Sequence, residues 1–175
     1  DFNFDKKLTI MVWAKLDDIT PQEWGGMPRK ENEYVLAPHK LGNKMEMTMW
    51  VNNGPAWVGQ IPDPGVGPQL NFGEWHHYAT TYDGDICRVY VDGKDIGNKK
   101  VGGAVNQTDA ILRISNDCCG GRFMKGTLDE MVMAKDVFDA TVIQDYMKKG
   151  IELYLSVGPV GKLSTTWGRL KGQKG

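Results

Sequence analysis

An all-β sandwich with one short helix near the C-terminal end is the fold class predicted for this chain of 175 residues. Three observations predict it. Short runs of β-prone residues alternate in polarity with a period of two, turn dipeptides separate them, and a single segment carries a helical stripe with cap residues. Apolar residues at 41% and charged residues at 25% fit one ordinary globular domain long enough to bury a full core.

In chain order, Leu8 to Leu16 places Leu8, Ile10, Val12, Ala14 and Leu16 on one face, with Met11 and Trp13 making the other partly apolar. A long loop is expected from Asp17 to Asn32, then strands at 34–37 and 44–52. In the second of these Met45, Met47 and Met49 alternate with Glu46, Thr48 and Trp50. The clearest hairpin runs from Glu74 through the Asp83-Gly84 turn to Asp92-Gly93. Its second strand puts Cys87, Val89 and Val91 on one face, which makes Cys87 a core thiol. Two further strands are expected at 111–115 and 126–134. The helix is expected over 139–150: Asp139 is placed to cap it, Val142, Ile143, Tyr146 and Met147 form its stripe, Lys148 and Lys149 suit its C-terminal dipole, and Gly150 stops it. Residues 1–157 are assigned to the sandwich, and 158–175 to an extension that docks on its own or a neighbouring sandwich.

Several function classes are excluded early. A net charge of −1 gives no electrostatic case for nucleic acid. No apolar run approaches the roughly 18–20 residues of a membrane-spanning helix. Zinc-type Cys and His spacing is absent. His76 and His77 are strand neighbours that point to opposite faces, so they cannot act together. His77 is expected to be buried and hydrogen-bonded. Paired carboxylates with glycosidase spacing are also missing, so an enzyme is not expected.

The run from Leu8 to Lys15 (LTIMVWAK), the run from Gly73 to Gly84 (GEWHHYATTYDG), the RVYVDG that follows from Arg88, and 120–131 (GGRFMKGTLDEM) occur in the order seen in laminin-G-like domains. Over residues 1–150 the chain resembles that family of concanavalin-A-like folds. The resemblance implies a two-sheet antiparallel jelly roll, one further strand upstream of Asp1, and an extracellular module that binds carbohydrate or protein. It also implies a calcium ion held by Asp129, with Asn116 or Asp117 in reach. The same location fits a secreted or cell-surface protein, and a chain opening on Asp1 says nothing about a leader.

The most unusual segment is 116–122, where Asn116, Asp117, Cys118, Cys119 and Arg122 share a glycine-flanked loop at a strand end. In an oxidising compartment adjacent Cys118 and Cys119 are expected to close a vicinal disulfide ring able to contact a sugar face. The alternative is two reduced thiols in a surface turn. Trp24, Trp50, Trp57 and Trp167 are candidate platforms for pyranose rings, Trp57 foremost, with simple burial as the alternative for each. Trp13 and Trp75 are expected in the core. The leading expectation is a lectin-like or adhesion module whose partner is a glycan or glycoprotein. The rival is a structural protein that self-assembles, as a homo-oligomer or filament, when Lys162 to Leu170 adds as a strand to a neighbouring copy.

Overall fold

The structure, a computed structural model, describes residues 2–19, 25–54, 57–116 and 120–155. The strands are β1 (Leu8–Ile19), β2 (Arg29–Lys30), β3 (Tyr34–Leu41), β4 (Lys44–Asn52), β5 (Trp57–Ile61), β6 (Trp75–Tyr82), β7 (Ile86–Val91), β8 (Lys94–Lys100), β9 (Leu112–Arg113) and β10 (Met124–Ala134). One helix follows, α1 (Ala140–Leu155). The first sheet has the order β10-β1-β6-β7-β8 and the second β5-β4-β3-β2-β9, with every pairing between named strands antiparallel. This is the expected two-sheet jelly-roll sandwich.

Alternation in sequence becomes layering in space. Leu8, Ile10, Val12, Ala14 and Leu16 of β1 meet Tyr34, Leu36, Met45, Met47, Met49 and Val51 of the second sheet in one fully buried core. Cys87 lies in it as a free thiol, 3.7 Å from the Thr80 hydroxyl, and burial pushes its pKa up to about 12. The opposite face of the first sheet receives α1, where Ile143 and Tyr146 pack on Met11, Ala79 and Tyr90. Asp139 caps the helix as expected, its Oδ1 accepting the Val142 N–H at 2.9 Å. Gly150, at φ 72° and ψ 170°, breaks the helical path, but helical structure resumes and runs to Leu155 instead of stopping there.

Other expectations are corrected or extended by the structure. The loop over 17–32 contains the end of β1 and the two-residue β2. β3 continues through Pro38 to Leu41. Trp57 begins a further strand, β5, in a stretch rich in proline and glycine. Trp75 is not core: it stands 44% exposed on the outer face, and Trp13 beside it is half-buried.

His77 is fully buried, but neither ring nitrogen has a hydrogen-bond partner among the described residues. Burial lowers its pKa to about 4, against a smaller opposing pull from Asp92. The unfolded chain therefore takes up this proton near pH 6.5 and the folded one only near pH 4, so stability falls as pH drops through that window. The loss by pH 4 is roughly 3 kcal/mol. Urea unfolding at pH 7 and near pH 4 is expected to show it, and His77→Phe to remove most of it. An unchanged pH dependence in that variant would refute the assignment.

Candidate functional site

Directly paired residues of a sheet point the same way, and one such row crosses the outer face of the second sheet. Arg113 pairs with Arg29, Arg29 with Val35, Val35 with Trp50, and Trp50 with Gly59. Trp57, two residues before Gly59, shares that face. Along this row opens a cleft of about 330 Å³ lined by Arg29, Val35, Trp50, Trp57 and Arg122.

Each side chain is placed by a local cause. Trp50 is seated on Gly59, where an added Cβ would lie 2.9 Å from the indole carbons Cδ2 and Cε3. Only glycine leaves that space. The Arg29 guanidinium lies 5.9 Å from the Trp57 ring centre, a cation–π arrangement. Its Nε donates to Glu31 Oε2 at 2.8 Å, and the side chain is only 9% exposed. Arg29 is thus held as a fixed wall of the cleft.

The rim is formed where three segments meet. Asn116 bridges Gly26, the Ser115 N–H donates to the Gly26 carbonyl at 2.7 Å, and the Met124 N–H to the Ser115 carbonyl at 3.2 Å. This brings the segment after β9, the lead-in to β2 and the lead-in to β10 together, with Arg122 lining the cleft.

Of the residues singled out from sequence, Trp57, Trp50 and Arg122 line one cleft, and Asn116 sits at its rim. Asp117, Cys118, Cys119, Trp24, Trp167 and the extension 158–175 lie outside the described residues. Asp129 is elsewhere. It pairs with Trp13 on the outer face of the first sheet, five residues along β10 from Met124, a run on the order of 16 Å. Among the described residues no three His, Cys, Asp or Glu side chains converge to hold a metal. Asp117, the other partner expected for Asp129, lies outside the described residues. Sequence reasoning missed Arg29 and Val35, because their place in the row depends on pairing between strands far apart in the chain.

Cleft and topology together define a concanavalin-A-like sandwich with an aromatic, cation-walled groove on one sheet. Residues 1–144 match the Laminin_G_3 family, described as the concanavalin A-like lectin/glucanases superfamily. The chain belongs to that family. No curated protein matches it. Among solved structures, domain 4 of AbnA, an extracellular GH43 arabinanase from Geobacillus stearothermophilus solved with arabinotriose, is 17% identical with a TM-score of 0.62, covering 81% of this chain and 66% of that one. A putative carbohydrate-binding protein from Bacteroides ovatus is 16% identical with a TM-score of 0.64, covering 83% of this chain and 42% of that one. The heptameric SAP-like pentraxin of Limulus polyphemus is 14% identical with a TM-score of 0.60, covering 83% and 71%. This chain thus spans 66% and 42% of the first two proteins.

Proposed function

We propose that this domain is a non-catalytic carbohydrate-binding module that works outside the cell, holding a short stretch of glycan in the cleft of the second sheet. The observation that carries this reading is the pair of indoles, Trp50 and Trp57, fixed beside Arg29 and Arg122 in one groove. Indole faces pack on the C–H faces of sugar rings, and guanidinium groups donate to hydroxyl or acidic substituents. Support also comes from two similarly folded proteins, one solved with arabinotriose and one described as carbohydrate-binding. A glycan array, followed by titration of arabinotriose as the first probe, tests the reading. Saturable binding to at least one glycan class is expected, and a blank array together with inert arabinotriose would overturn it. The cleft contacts need no metal, so binding is expected to survive a chelator. Loss in chelator with recovery in calcium would instead show that a calcium ion takes part in binding.

One observation favours a second reading, self-assembly. β9 pairs only with β2 among the described strands, and Phe2, Ile111 and Ile114 stand about half exposed or more beside that edge. An open apolar edge accepts a strand from another chain. Light scattering on the full chain across a concentration series is then expected to show oligomers, and a monomer throughout would sink this reading.

A further inference from the structure

We propose a second ligand site, on the outer face of the first sheet, that takes an organic ammonium group. β10 carries one extra residue against β1 here: Met11 pairs with Val132 and Trp13 with Asp129, so two steps on β1 span three on β10. Within this bulge Glu130 has a φ of +48°, in the left-handed region that a non-glycine residue adopts at some cost. Neighbouring residues of a regular strand point to opposite faces. The bulge instead turns Asp129 and Glu130 into the same cavity, of about 300 Å³, which Trp13 and Trp75 complete. Bulges commonly re-aim side chains in this way.

The cavity's parts are poised for a ligand. Trp75 is an exposed indole on an otherwise ordinary sheet surface. Trp13 is steadied by buried His77, its direct cross-strand partner, the rings meeting edge to face with centres 5.4 Å apart. Asp129 Oδ1 accepts the Glu130 N–H at 2.8 Å, and the Glu130 carboxylate lies beside Gly150 of α1, where an added Cβ would come within 2.8 Å of Oε1. Lys15 pairs with Trp75 across the strands but does not line the cavity.

Two indoles and two carboxylates, with no cation among the described lining residues, match the chemistry of an alkylammonium. The charge sits over the ring faces and against the carboxylates. The first cleft presents the opposite character, two indoles with two guanidinium groups. One domain thus carries two aromatic sites of opposed charge on its two outer faces. The second site does not depend on the first binding sugar.

Indole N–H resonances of the ¹⁵N-labelled full chain test the proposal. Tetramethylammonium and glucosamine serve as probes, with glucose and N-acetylglucosamine as their uncharged counterparts. The Trp13 and Trp75 signals are expected to shift saturably with both ammonium compounds, and less at high salt, while Trp57 stays in place with tetramethylammonium. Asp129→Asn with Glu130→Gln is expected to weaken the response several-fold while leaving the Trp57 signal as a check on the fold. A free-cation preference is read from tetramethylammonium exceeding glucosamine, an amino-sugar preference from the reverse. The proposal is overturned if neither ammonium compound shifts Trp75, if glucose shifts it equally, or if the double variant responds like the parent.

Discussion

Replacing Trp57 by alanine is expected to weaken glycan binding by about tenfold or more, which corresponds to a loss of at least about 1.4 kcal/mol. Trp57 is half-buried at the start of β5, its ring covered on one side by the Arg29 guanidinium. Alanine removes the stacking face and leaves Arg29 without its aromatic neighbour. Stability is expected to change little, since Trp57 opens a strand at the edge of the sheet and contributes nothing to the main core. Gly59→Ala should give a related loss by another route, by displacing Trp50 from its seat. Titration of the parent and both variants against the strongest array glycan checks this. Undiminished affinity in Trp57→Ala would remove the cleft from the account.

The largest expected effect on stability is at Lys30. Its ammonium, 5% exposed, donates to Glu33 Oε1 and, at 2.8 Å, to the Thr108 carbonyl. Glu33 is fully buried, and its Oε1 also accepts the Thr108 N–H at 2.7 Å and hydroxyl at 2.8 Å. Glu33 Oε2 has no partner among the described residues, so removing Lys30 leaves a buried carboxylate without its counter-charge. Lys30→Met is expected to cost about 3–5 kcal/mol, read by urea unfolding. Adding Glu33→Gln should restore much of it by removing the stranded charge. A cost under about 1 kcal/mol for the single variant would show that the pair behaves as a surface one. Because Lys30 adjoins Arg29 in the two-residue β2, loss of this network also loosens one wall of the cleft.

Much of the fold was legible because local chemistry and tertiary position agreed. The alternation of Leu8 to Leu16, the methionines of β4, the Asp83-Gly84 and Asp92-Gly93 turns, and the Asp139 cap each mark an element that the structure contains. The strands that escaped notice lack such signals for physical reasons. β8 is an edge strand carrying Lys94, Asp95, Lys99 and Lys100, the charge that edges use to deter pairing with other chains. β5 hides among prolines and glycines, and β2 is too short to show a period. Trp75 reads as core by its place in a strand motif, yet it stands on the outer face of β6 in a part that α1 leaves open.

The candidate site was legible only in pieces. Trp50, Trp57 and Arg122 stand out by residue type, but nothing local says that they share a cleft. That follows from the register of β2, β3, β4 and β5, together with the bridge between Gly26 and Asn116. Arg29 carried no signal of its own. In the chain it precedes a lysine and a glutamate like many surface arginines, and only pairing with Val35 brings it over Trp57.

The most direct test of the central claim, that the second sheet's cleft holds glycan, is to follow the indole N–H signals while arabinotriose or the strongest array glycan is added. The account predicts saturable shifts of the Trp50 and Trp57 signals with one common dissociation constant, while Trp13 and Trp75 stay in place. Binding that leaves Trp50 and Trp57 unmoved while shifting other indoles would contradict it.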